Sequence, residues 1–312
     1  SRALLSIELP DDGLIRLEDL ALPFGREVAR HLNIEDKQGT SSSSRFLDVC
    51  RRFNKQNISQ DEFQLAVTRL GFQNVIDAFH VVNRKDVPTR FFIDERREHG
   101  GIRVTDALYA LKQHTQAGNL FDETEARWRL VETAWAIGIS PHLLEVKFDE
   151  EGHILYVQGK GHPRRNITSC RGALDGYQKG RCFYCHDTIH INSDNGPVAH
   201  VDHFFPHCLA KSTGWTPQIN IDGIWNLVLA CATCNAGPGG KFAKVPTIDL
   251  LERLNTRNEY LIESHHPLRE TLRNQTGMTA PIRHAFLQKQ WNLAKSILVH
   301  EWSTEPVDDH TL

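Results

Sequence analysis

Two cysteine pairs of the same spacing constrain this chain more than anything else in it: Cys182-Phe-Tyr-Cys185 and Cys231-Ala-Thr-Cys234, with residues 186–230 between them. A C-x-x-C turn presents two thiolates to one cation, and two such turns complete a tetrahedral zinc site. With no open position, such a site is structural rather than catalytic. The fold must therefore bring residues 182 and 231 together around an insert long enough to hold structure of its own. Four buried free thiols, or a redox pair, would leave the matched spacing unexplained. Seven cysteines is an odd count for a disulfide framework in 312 residues. Cys50, Cys170 and Cys208 read as small buried hydrophobes.

Charge follows the cysteines. The whole chain carries 36 Lys+Arg against 39 Asp+Glu, a net of −3, and that total alone does not suggest a nucleic-acid partner. Residues 161–245, however, hold eight basic residues against five Asp and no Glu. This stretch is net +3 and the remainder net −6. Six of the seven cysteines fall in the same basic stretch. The length suggests two domains. No apolar run approaches the roughly 20 residues that span a bilayer. Residues 1–25 lack a basic start followed by an apolar core. A chain with no membrane contact, located in the cytoplasm, is the expectation.

The hydrophobic pattern predicts a mainly α chain with a small α+β module. Residues 1–142 read as a helical N-terminal domain that docks DNA or a partner. Ser41–Ser44 offers caps for a helix carrying Phe46, Leu47, Cys50 and Phe53. Ser59 and Glu62 fit a capping box. Asn74 opens a helix through Val82, Thr105 another, and Asp122 a longer one ending near Gly138. The basic pairs Arg51-Arg52 and Arg96-Arg97 read as solvated helix faces. Residues 143–160 alternate like a β-hairpin and end in a glycine-rich joint. Residues 161–247 hold the cysteine module, opened by a helix from about Asn166 to Gln178. Residues 248–312 read as C-terminal helices, one marked by Leu250, Leu251, Leu254 and Ile262, another from Pro281 to Trp302.

Inside the insert, Ala199-His-Val-Asp-His-Phe-Phe-Pro206 suits the second strand of a hairpin whose turn is Asn192–Pro197. Further on come Ile224-Trp-Asn-Leu-Val-Leu-Ala230, Cys231-Ala-Thr-Cys-Asn235 and Lys241. The order Cys-x-x-Cys, Asp-His-x-x-Pro, Asn-Leu, Cys-x-x-Cys-Asn, Lys resembles the zinc-containing branch of the HNH endonucleases over about residues 180–245. The resemblance implies a two-stranded hairpin and one helix around a single divalent cation, the ββα-metal arrangement. It implies His203 as general base, Asp202 and Asn235 as ligands of Mg²⁺ or Mn²⁺, and Asn226 fixing the base. Asn235 stands where many members have a final histidine, and its amide oxygen suits a hard cation. His200 shares a strand face with Asp202. His200, His207 and Lys241 are possible neighbours of the site, with His207 and Lys241 read as phosphate contacts.

The chemistry agrees with these residue types. Phosphodiester hydrolysis needs a base that works near neutral pH, which a histidine of ordinary pKa (about 6.5) supplies. It also needs a hard cation against the growing charge on phosphate. The expected partner is DNA, nicked one strand per site, and the setting implied by such fusions is a prokaryotic anti-phage defence or restriction effector. Two other readings remain: a non-catalytic zinc-dependent nucleic-acid-binding module, or the effector subunit of a larger defence complex. Zinc is expected to hold the small module folded, so that stripping it unfolds the module while removing Mg²⁺ only stops cleavage.

Overall fold

A computed structural model describes residues 2–39, 43–82, 85–113, 117–136, 146–149, 154–157, 165–166, 168–191, 198–212, 214–215, 219–264 and 266–304. The chain forms two compact units, Ser1–Thr124 and Glu125–Leu312. Among the described residues no helix is long and apolar enough to cross a membrane.

The first unit runs α1 (Arg2–Ser6), β1 (Leu14–Arg16), α2 (Leu17–Ile34), α3 (Arg45–Asn54), α4 (Gln60–Leu70), α5 (Val75–Phe79), β2 (Val81–Val82), β3 (Lys85–Asp86), β4 (Phe92–Glu95), β5 (Gly101–Val104) and α6 (Asp106–Gln113). α7 (Ala117–Ala136) begins in this unit and ends in the second. Local signals set the helix starts. Ser44 accepts from the Leu47 amide at 3.3 Å, and Ser59 and Glu62 close a reciprocal capping box at 3.2 and 2.8 Å. Phe63 and Val67 of α4, Leu20 of α2 and Cys50 of α3 share a core with Ile15, Phe92 and Ile102.

Those last three residues belong to a small sheet that the expectation of a helical domain did not include. β1, β5 and β4 form an antiparallel sheet in that order. Its strands have three or four residues, too few to show alternation in a sequence. Gly101 lets β5 pass close to β1, since a Cβ there would collide with the carbonyl of Ile15. Two further boundaries differ. The helix after Asn74 stops at Phe79, and a two-residue strand follows. Arg96 and Arg97 lie in the turn after β4 rather than on a helix.

The units also divide at Thr124 rather than at residue 142. Ala126, Leu130 and Ala134 of α7 pack in the second unit's core, so α7 changes allegiance partway along.

The second unit continues with β6 (Val146–Asp149), β7 (Ile154–Val157) and β8 (Arg165–Asn166), an antiparallel sheet in that order. This is the expected hairpin with one added strand; its turn, residues 150–153, lies outside the described residues. The helix expected from Asn166 to Gln178 is instead a 3-10 segment, Thr168–Leu174, followed by turns. Gly172 weakens a longer helix, and both oxygens of buried Asp175 accept from the Gly180 amide at 2.8 Å.

Next come β9 (His200–His203), β10 (Leu227–Ala230), α8 (Ala232–Ala236), β11 (Val245–Pro246), α9 (Ile248–Glu263), α10 (Arg269–Thr276), α11 (Ala280–Ile297) and β12 (Glu301–Trp302). β9 and β10 are antiparallel, with Leu227 opposite His203 and Ala230 opposite His200. β9 is thus the first strand of its hairpin, not the second. The expected turn at Asn192–Pro197 lies outside the described residues. The partner is the apolar run Leu-Val-Leu-Ala, buried on both faces, which needs a covered neighbour on its edge.

The expected break at residue 247 is absent. Phe183, Phe204, Trp225 and β10 share one core with Leu250, Leu254 and Leu261 of α9, Leu272 of α10 and Leu287 of α11. The last helix ends at Ile297 rather than Trp302, because residues 301–302 pair in parallel with β11.

Candidate functional site

The first cysteine pair sits in a turn after Gly180, where the His186 amide donates to Cys182 O at 3.1 Å with His186 in the left-handed region (φ 61°). The second pair sits at the start of α8, where Cys231 is the N-cap and its Sγ accepts from the Cys234 amide at 3.4 Å. The Cys231 amide in turn donates to Cys182 Sγ at 3.3 Å, joining the two turns.

All four Sγ atoms lie within 4.8 Å of one another, and Cys185 Sγ is 3.8 Å from Cys231 Sγ. Tetrahedral bonds of about 2.3 Å place sulfurs about 3.8 Å apart, so the set fits a zinc ion. Hydrogen bonds from Cys185 and Cys234 hold the Cys182 thiol far below its usual range, and the same contacts push those two partners up. Four thiolates this close together need a cation to offset their charge.

The three remaining cysteines differ among themselves. Cys50 is buried and burial pushes its thiol up to about 12. Cys208 is exposed, contrary to expectation, because it lies in a short 3-10 turn whose inward residue is Leu209. The side chain of Cys170 lies outside the described residues.

β9 presents Asp202 and His203 to different partners, as alternation along a strand requires. Asp202 is buried, and its Oδ2 accepts from the Tyr184 hydroxyl at 2.6 Å and lies 3.3 Å from Lys241 Nζ. Burial pushes the Asp202 carboxyl up, against the pull of Lys241 and Tyr184. Among the described residues both of these contacts fall on Oδ2, and none falls on Oδ1.

Lys241, expected beside phosphate, is 1% exposed. Its ammonium also donates to His203 O at 2.9 Å and Phe242 O at 3.1 Å. The glycine-rich turn before it leads the chain back under α8, where the Lys241 amide donates to Cys234 O at 2.8 Å. It is an internal tie rather than a surface cation. Asn235, on α8, is half-buried, and its Nδ2 is 3.3 Å from Nδ1 of exposed His200. The structure thus joins two of the predicted residues across β9 and α8.

His203 is 4% exposed and meets a separate set of partners. Its Nε2 is 3.0 Å from Asp222 Oδ1, and His207 Nε2 is 3.4 Å from the same oxygen. The two imidazole rings are 5.3 Å apart. Asn226 is fully buried. Its Oδ1 accepts from the Phe205 amide at 2.7 Å, and its Nδ2 donates to Phe205 O at 3.0 Å and Ile221 O at 2.9 Å. It therefore fixes His203 indirectly, by clamping the turn after His203 to the turn that carries Asp222.

The segment holding Asn226 is gripped in turn from α9. Arg257 donates to Ile224 O at 3.0 Å and Leu227 O at 2.7 Å, and Asn258 donates to Trp225 O at 3.0 Å. Arg257 is wholly buried with its guanidinium pushed down to about 9 by burial.

Asp222, Tyr184, Arg257 and Asn258 were not anticipated from sequence. Tyr184 lies inside the first Cys-x-x-Cys, where an aromatic reads as packing. Asp222, in Asn220-Ile-Asp-Gly223, reads as an ordinary turn residue. Comparison with family models, with curated proteins and with solved structures finds no match to this chain.

Proposed function

We propose that this chain is a metal-dependent endonuclease of the HNH kind, hydrolysing DNA phosphodiester bonds and nicking one strand per site. The observation that carries the reading is the strand–strand–helix unit β9–β10–α8. Asp202 and Asn235 sit on its two arms, the buried His203 is locked by a carboxylate, and a four-cysteine centre lies at the start of the helix. The donor set suits a hard cation, since Asp202 offers a carboxylate oxygen and Asn235 an amide oxygen. When bound there, Mg²⁺ or Mn²⁺ supplies neutralisation of charge growing on phosphate.

His203 accepts the proton of the attacking water, Asn226 holds the backbone that carries it, and Lys241 fixes Asp202 by its other oxygen. His200 orients Asn235, and His207 lies at the rim through Asp222. Zinc in the four-cysteine centre is structural. The net positive charge of residues 161–245 favours a polyanionic substrate. The separate first unit suits a partner-docking arm, as in an anti-phage or restriction effector acting in the cytoplasm. A non-catalytic nucleic-acid-binding zinc module is the second reading, favoured by one observation: Asp202 already has an internal cation in Lys241.

Nicking of supercoiled plasmid tests the proposal. The wild-type chain with Mg²⁺ should yield a nicked circle that a ligase reseals, and EDTA should abolish it. His203→Ala should slow it about 100-fold or more. Equal rates for the variant and the wild type would exclude His203 as the base, and a wild type that binds DNA without cutting would favour the second reading.

A further inference from the structure

We propose that Asp222 is the positioning residue for His203, an assignment that rests on the reading of His203 as the base. The geometry argues for a built orientation. The Asp222 carboxylate meets Nε2 of a histidine whose side chain is 5% exposed, at 3.0 Å. An imidazole that gives its Nε2 proton to a carboxylate carries its lone pair on Nδ1, which is the nitrogen a base needs. When that nitrogen takes a proton from water, the imidazolium forms against a carboxylate already in place. The same logic makes the orienting acid of a hydrolytic triad worth far more than a neutral partner.

The turn holding Asp222 is itself tied at several points. The Asp222 amide donates to Asn220 Oδ1 at 3.2 Å, the Gly223 amide to Asn220 O at 3.1 Å, and Trp225 Nε1 to the same carbonyl at 2.9 Å. Asn226 holds Ile221 O from the other side. Gly223 admits no side chain, because a Cβ there would sit 2.7 Å from the Trp225 ring. A turn fixed this firmly delivers Oδ1 to one place. An exposed ion pair, by contrast, is free to drift.

His207 reaches the same oxygen at 3.4 Å from the 3-10 turn His207–Lys211. It is the natural control: it shares the carboxylate without lying on β9.

The test uses the full chain, zinc-loaded, with ¹⁵N-labelled histidine. The His203 signal is the one missing in His203→Gln. In the wild type it should show the Nε2–H tautomer; an Nδ1–H tautomer there overturns the proposal without any variant at Asp222. Asp222→Asn keeps the shape and removes the charge. It should mix the tautomers and lower kcat for plasmid nicking about 10- to 100-fold with KM unchanged. His207→Gln should leave the His203 tautomer in place. An Asp222→Asn chain that keeps both its tautomer and its rate overturns this role alone. A changed tautomer with an unchanged rate overturns it as a role in the reaction. A wild type that does not nick overturns the nuclease reading and this role with it, even if the tautomer is the one expected.

Discussion

The two units treat polar groups in opposite ways. In the first, the buried polar or charged residues among those described are His31 and His80, and the strong charges pair at the surface: Arg51 with Asp36 and Asp48, Arg96 with Asp77 and Asp94. In the second, Asp202, His203, Asn226, Lys241, Arg257, Asn258 and His266 are all buried, most of them around β9 and β10. Taking such groups from water is costly unless every one is bonded. The first unit incurs this cost at two histidines, whereas the second incurs it repeatedly around β9 and β10.

The contrast can be broken most forcefully at the four cysteines. Removing zinc with a chelator, or Cys231→Ser, should abolish or drastically lower the second unit's calorimetric transition. The binding free energy of such centres is comparable to the whole stability of a domain. The first unit's transition should stay where it was. Removing only Mg²⁺ should move neither. A second transition untouched after complete zinc loss would show that the shared core with α9–α11 suffices alone.

Lys241→Ala comes next. It strands a buried carboxylate and should cost about 3–5 kcal/mol in urea unfolding. A loss under about 1 kcal/mol would mean that Asp202 simply takes up a proton. Asn226→Ala removes three buried hydrogen bonds, two on Phe205 and one on Ile221, and should cost about 3 kcal/mol by the same measurement.

His266 sharpens the contrast through pH. Burial, with Arg127 nearby, lowers it to about 3. Its Nδ1 accepts from the Leu268 amide at 3.1 Å, and its Nε2 meets Ala173 O at 2.8 Å, which fixes the neutral form. Below its ordinary value near 6.5, the unfolded chain binds a proton that the folded chain refuses. Stability should therefore fall as pH drops from about 6.5 towards 3, by about 1.4 kcal/mol per unit once fully engaged, or about 2 kcal/mol from pH 7 to 5. Urea titrations of the wild type and His266→Gln check this: the variant should lose that slope. The smallest effect belongs to the first unit, where Arg51→Ala should cost under about 1 kcal/mol because both its partners are exposed.

What the sequence revealed and what it concealed divide by range. The cysteine pairs were legible because ligand spacing is local chemistry, and so was the capping box at Ser59, which is settled within four residues. β9 was recognised as a strand but given the wrong partner. Its real one lies beyond residues 204–226, and alternation says which face is buried without saying against what. Lys241 looked like a phosphate contact because sequence gives charge without depth. Asp222 was invisible for the opposite reason: its role depends on a histidine 19 residues earlier that only the fold brings to it. Arg257 and Asn258 carried no signal, since a polar pair on a helix looks solvated until the helix is packed.

One late detail bears on where this module could be cut from the chain. Trp302 donates from Nε1 to Gly239 O at 2.8 Å, its ring meets Tyr184 edge-on at 5.0 Å, and β12 lies along β11. The segment just past α11 thus latches onto the first cysteine turn and onto the loop that delivers Lys241. A stretch cut at residue 247 would leave its clasp behind. The piece that has to be kept whole is the motif together with its three following helices and this short closing strand.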